Sequence, residues 1–142
     1  MQFKLFVDSD VVISSLLSSK GAAFLLIYKI DNIKLLISNL SQQELEIVIT
    51  RLDISQDELT SLLEKRFDIF DLNITLEEIR KEYKNYVSDI NDTHIVYGAK
   101  EAKARFLITY NIKDYKTEKI KKDFNILVMT PGQFIQYLRS IQ

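Results

Sequence analysis

The run Phe3-Lys4-Leu5-Phe6-Val7 is apolar enough to be a strand buried on both faces, and it stops abruptly at Asp8-Ser9-Asp10. A strand covered on both sides belongs in the middle of a parallel sheet, and a parallel sheet requires a crossover, usually a helix, between successive strands. The rest of the chain repeats this pattern. Helical periodicity over Val11 to Leu17 and Ala22 to Ile30 is followed by a short strand at Lys34 to Ile37. A helix then runs to about Leu52 and another from Ser55 to Phe67, with a third strand at Asp68 to Leu72 and a helix from Leu76 to Tyr86. Asn91-Asp92-Thr93 caps a helix to about Ala104, in which Gly98, Ala99, Ala102 and Ala104 permit close packing on the sheet. Phe106 to Thr109 reads as a strand, Asn111 to Asp114 as a turn, Lys116 to Lys122 as a basic helix or loop, and Ile126 to Met129 as the last strand. Pro131 opens a terminal helix at its first position. With three Gly, one Pro and no repeat or low-complexity linker in 142 residues, the chain reads as one domain over residues 1–142. The predicted fold is α/β: a three-layer α/β/α sandwich around a central, mostly parallel sheet of four to five strands.

The acidic residues fall at informative places in that order. Asp8 closes the first strand, Glu44 lies one turn into the helix after the second, Asp92 begins the helix leading into the fourth, and Asn111 with Asp114 follows it. In an open parallel sheet the ligand crevice lies beyond the carboxyl ends of the strands where their order reverses, so these positions converge there. Glu44 shares a helical face with Leu40, Ile47 and Val48, which predicts that it points inward. Carboxylates gathered in a desolvated crevice repel one another unless a cation lies among them. Oxygen donors of this kind suit Mg²⁺ or Mn²⁺, and such a site suits phosphodiester hydrolysis without a covalent nucleophile. Thr109 and Ser9 are placed to hydrogen-bond to these carboxylates and orient them. Asp10 reads as a turn or cap residue, Asp89 and His94 as surface residues, and most of Tyr83, Tyr86, Tyr97, Tyr110 and Tyr115 as packing residues.

At these residues the sequence resembles the PIN domains, which are metal-dependent nucleases. The resemblance rests on Phe6 to Leu17, on Ser38 to Leu45, and on Asp92-Thr93-His94 through Leu107 to Tyr115. It implies Asp8, Glu44 and Asp92 as the acidic core, Asn111 or Asp114 as the fourth member, and Mg²⁺ or Mn²⁺ as the cofactor. RNA is the implied substrate, a small antitoxin protein and a second copy of the chain are the implied partners. Two positions depart from the family pattern: Asp10 stands where Asn is frequent, and Asn111 where a carboxylate is frequent. One charge fewer at position 111 weakens a second metal and favours one-metal or Mn²⁺-dependent activity.

Charge and composition fit this reading. Residues 1–79 carry seven basic and thirteen acidic side chains, whereas residues 80–122 carry eleven basic and six acidic, an arrangement suited to acids that hold metal beside a region that holds a polyanion. The absence of cysteine excludes disulfides, thiolate zinc sites and a thiol nucleophile. No apolar run approaches the ~20 residues of a membrane span, and the N-terminus lacks a signal-peptide pattern, so a cytoplasmic protein is expected. Two alternatives stay open: a PIN-like module that binds RNA or protein with weakened catalysis, and a phosphatase of the haloacid-dehalogenase class built on Asp8 and Asp10. The phosphatase needs a lysine and a second acidic pair near the last strands, where Thr130-Pro131-Gly132 offers neither.

Overall fold

In a computed structural model that describes residues 2–142, five parallel strands form one sheet in the order β3-β2-β1-β4-β5. The strands are β1 (Phe3–Val7), β2 (Ile33–Ser38), β3 (Phe67–Phe70), β4 (Phe106–Ile108) and β5 (Leu127–Met129). The three-layer sandwich expected from the sequence is present, with every strand pair parallel. Side-chain alternation divides the core in two. Leu5, Val7, Leu35, Ile37, Phe106 and Ile108 face one layer, while Phe6, Leu36 and Leu107 face the other.

The first layer holds α1 (Ser9–Leu17), α2 (Ala22–Phe24), α3 (Asn39–Arg51), α4 (Gln56–Arg66) and, completing it at the chain's end, α8 (Pro131–Ser140). The second holds α5 (Leu76–Tyr83), α6 (Thr93–Glu101) and α7 (Thr117–Phe124). Local chemistry accounts for the boundaries. Ser38 caps α3 by accepting from the Ser41 N–H, and Thr130 and Gln133 form a reciprocal capping box around Pro131. Ser55 caps α4 through the Glu58 N–H, without the reciprocal bond of a capping box. The helix expected over Ala22 to Ile30 is interrupted: α2 passes into a π-helical turn over Leu25–Lys29, and the carbonyls of Ile27 within it and of Ile30 just after it accept hydrogen bonds from Arg66. The helix expected to Tyr86 ends at Tyr83 and continues as a 3₁₀ turn, Lys84–Tyr86.

The small residues of α6 serve the purpose read from the sequence. A Cβ placed on Gly98 would lie 2.5 Å from Cζ of Phe6, so only glycine allows α6 to sit this close to β1. Among the described residues no single helix is long and apolar enough to cross a membrane; α1 and the α2 stretch through Lys29 pass together by composition, but they are bent by 103° and pack into the core.

Candidate active site at the strand switch point

The strand order reverses between β1 and β4, and their carboxyl ends bear Asp8 and Thr109. Asp8 is buried, and its carboxylate is tied down on every side. Oδ1 accepts from the Ser9 N–H at 2.7 Å, while Oδ2 accepts from the Thr109 hydroxyl at 2.9 Å and from the Tyr115 hydroxyl at 2.9 Å. Burial raises the Asp8 pKa above the usual carboxylate range, and the hydrogen bonds from Tyr115, Thr109 and Ser9 oppose that shift. Burial and the facing Asp8 charge together raise the phenol of Tyr115, which keeps it a proton donor.

Ser9 and Asp10 behave differently from expectation. Asp8, not Ser9 or Asp10, caps α1, and the Ser9 hydroxyl is buried without a hydrogen-bond partner, so Ser9 orients Asp8 through its backbone rather than its side chain. Asp10 reaches across to the end of β4. Its Oδ2 accepts from the Tyr110 N–H and the Asn111 side-chain amide, both at 3.1 Å, and its Oδ1 is buried with no partner. Burial first, and the Asp8 charge second, push the Asp10 pKa up to about 7. Asn111 also receives support from Thr109, whose hydroxyl accepts from the Asn111 N–H at 3.1 Å.

Asp92 stands at the N-cap position of α6 but makes no capping hydrogen bond, so its carboxylate remains available. Its pKa is pushed up to about 7 by burial and then by the charges of Asp8, Asp89 and Asp114. Asp92 is thus within electrostatic reach of both Asp8 and Asp114. Asp114 is placed by its backbone, which donates to the Asn111 carbonyl and accepts from the Ser88 N–H at 2.8 Å.

Glu44 does not point into the core. The buried face of α3 is Ser41, Leu45 and Ile49; Ile47 is 61% exposed and the Glu44 side chain 48% exposed. The Ser38 cap turns Ser41 inward, which sets the helix register and moves Glu44 to the rim of the crevice. There it meets Nε2 of His94 at 3.1 Å. His94, expected on the helix surface, is 3% exposed, and its Nδ1 is buried without a partner. Asp10, His94 and Tyr115, expected from the sequence as cap, surface and packing residues, thus all make contacts within the site. The apolar pair Ile95-Val96 directly after His94 was the available signal for its burial, whereas Tyr115 had none, because its position depends on a loop folding back over Asp8.

Whether a divalent ion suits these donors follows from their chemistry. Every candidate is an oxygen, one buried carboxylate oxygen of Asp10 has no partner, and Asp92 is uncapped and repelled by its neighbours. Among the described residues, however, no three acidic or histidine side chains are closed around a common point. The set fits an oxygen-seeking ion provided the partly exposed side chains of Asp92, Asp114 and Glu44 rotate towards Asp8.

The fold and the acid-lined switch point describe an α/β protein with an acidic crevice at its strand reversal, and comparison assigns its family. The profile of the PIN domain matches residues 4–113, well over half of the chain, and the chain belongs to that family, whose members are generally nucleases. Among solved structures it is similar to a toxin-antitoxin complex from Klebsiella pneumoniae, with 22% identity, 89% of this chain and 97% of that one covered, and a TM-score of 0.62. It is also similar to VapBC2 from Rickettsia felis bound to a DNA fragment from their promoter, with 18% identity, the same coverage of 89% and 97%, and a TM-score of 0.58. At these identities the likeness establishes the fold. No curated protein sequence matches the chain.

Proposed function

We propose that this PIN-domain protein is a divalent-metal-dependent endoribonuclease, acting as the toxin of a toxin-antitoxin pair. The observation that carries the reading is the position of Asp92, repelled by both Asp8 and Asp114 at the switch point, beside the unpartnered oxygen of Asp10. Asp8, Asp92 and Asp114 would hold Mg²⁺ or Mn²⁺, with Glu44 and the amide oxygen of Asn111 at its edges. Bound there, the ion supplies Lewis acidity towards a phosphodiester and neutralises the carboxylates.

The protein's own groups prepare that site. Tyr115 and Thr109 fix the orientation of Asp8 and keep it from swinging away, a role that supporting hydrogen bonds commonly play around metal ligands. Asp10 holds the loop after β4 through Tyr110 and Asn111, and His94 restrains Glu44 at the rim. The toxin role draws on the two similar structures, a toxin-antitoxin complex and VapBC2. A homodimer and a cytoplasmic location complete the proposal.

One observation favours a second reading, a PIN module that binds RNA or protein with weakened catalysis: the Asn111 amide donates to Asp10, so position 111 adds no negative charge to the site. Cleavage of a labelled single-stranded RNA with Mg²⁺ or Mn²⁺, by the wild type and by Asp8→Asn, separates the two. Metal-dependent cleavage that vanishes in Asp8→Asn is expected; equal cleavage by both proteins would sink the ribonuclease reading. Growth arrest on expression, absent in Asp8→Asn and relieved by a short neighbouring reading frame, tests the toxin role.

A further inference from the structure

Beyond the acids, the segment that leaves Asp114 carries Lys113, Lys116 and Lys119, all exposed and none paired with a carboxylate among the described residues. Their placement is fixed by backbone. Val87 and Tyr115 form an antiparallel bridge, the Ser88 N–H donates to the Asp114 carbonyl at 2.8 Å, and the Lys116 N–H donates to the Tyr86 carbonyl at 2.9 Å. The stitch that brings Tyr115 onto Asp8 therefore also anchors Lys116 next to the crevice. Lys119 follows in the first turn of α7, the helix for which Lys116 is the N-cap residue.

Lys119 is held there by an unusual support. Its Nζ lies 4.7 Å from the centre of the Tyr86 ring, whose hydroxyl donates to Asp123 Oδ2 at 2.6 Å and whose ring packs on Phe124 at 4.8 Å. A cation resting on a ring keeps its full charge for an incoming anion, as it would not in a salt bridge. Tyr86 is therefore a support for Lys119 rather than a free surface for a base. The free ring is Tyr110, 42% exposed, whose N–H is held by Asp10.

We propose that Tyr110, Lys113, Lys116 and Lys119 form a track for one strand of RNA. A base stacks on Tyr110, and the phosphates that follow pass Asp114 and continue over Lys113, Lys116 and Lys119. Unpaired cations flanking an acidic crevice concentrate a polyanion beside carboxylates that would otherwise repel it. An aromatic platform in line with lysines is the arrangement that tracks a single strand without reading its sequence. The strand leaves over α7, away from Glu44. The choice of RNA rests on the ribonuclease reading.

The test is fluorescence anisotropy of a 5′-fluorescein-labelled 12-nucleotide single-stranded RNA in EDTA, which prevents metal-dependent cleavage, at salt from 50 to 200 mM. For Lys116→Gln/Lys119→Gln we expect affinity at low salt to fall about tenfold and the salt slope to shrink by ~1.4, about 0.7 for each lost phosphate contact. Tyr110→Ala weakens binding at least about fivefold with the slope retained. Lys29→Gln/Lys65→Gln, on the π-helical turn after α2 and on α4, changes neither. An unchanged slope in the first variant, with its melting temperature intact, overturns the track, as does an equal loss in the control. RNA cleavage in Mg²⁺ is scored separately. Cleavage with an unchanged slope sinks the track and leaves the nuclease; a shrunken slope without cleavage keeps the track and sinks the nuclease.

Discussion

The two sides of the acidic crevice are built on opposite terms. On the β1–β4 side, Asp8 is buried and bound by three donors drawn from three parts of the chain, so its position is settled before anything binds. On the α3–α6 side, Glu44 is half exposed and restrained by one contact to His94, while Asp92 is uncapped. The first side is organised in advance at the cost of burying a carboxylate. The second is left adjustable, and an ion would have to recruit it. A site with one rigid wall and one movable wall can accept a cation without carrying several fixed charges in its absence.

Replacing residues on either wall turns that contrast into numbers. The largest effect belongs to Asp8→Asn, which should reduce metal-dependent RNA cleavage to background at every metal concentration. Tyr115→Phe keeps the ring and removes one donor to Asp8; cleavage should fall about 10–100-fold, measured as kcat at saturating Mn²⁺. A wild-type rate would show that the rigid wall does not depend on this bond. Glu44→Gln, on the movable wall, should raise the Mn²⁺ concentration for half-maximal cleavage by about tenfold while leaving the rate at saturating Mn²⁺ close to wild type. Failure to recover at high Mn²⁺ would place Glu44 with the rigid group.

Two stability measurements extend the comparison. Gly98→Ala forces a methyl group against Phe6 and should cost ~1–3 kcal/mol in denaturant unfolding, reduced by the better helix propensity of alanine. The smallest effect concerns pH. A carboxyl whose pKa is raised to about 7 in the folded protein stabilises it below the unfolded value near 3.9, and that stability is lost as pH rises towards 7. In EDTA, Asp92→Asn should melt with the wild type at pH 4 and ~2–4 °C above it at pH 7.5. Parallel melting curves across this range would show that Asp92 is not strained by its neighbours.

The same division governs what the sequence disclosed. Strands and their parallel order were legible because Phe3 to Val7 and Phe106 to Ile108 are short apolar runs ending in polar residues, and β-strand alternation leaves little choice of register. Asp8, Asp92 and Asp114 were legible because they sit at strand and helix ends. Glu44 was placed on the wrong face because α3 offers two apolar stripes, one through Leu40, Ile47 and Val48 and one through Leu45 and Ile49. The Ser38 cap and packing on the sheet select the second. Tyr115 and Asp10 owe their roles to contacts more than a hundred positions away along the chain, which no local pattern encodes.

The bonds from Thr109 and Tyr115 to Asp8 close loops of 101 and 107 residues. During translation Asp8 must wait for Tyr115, made 107 residues later, so every ribosome-bound fragment that stops short of Tyr115 lacks the finished wall. Whatever activity that wall supports is therefore deferred until the segment carrying Tyr115 has been made and has folded back.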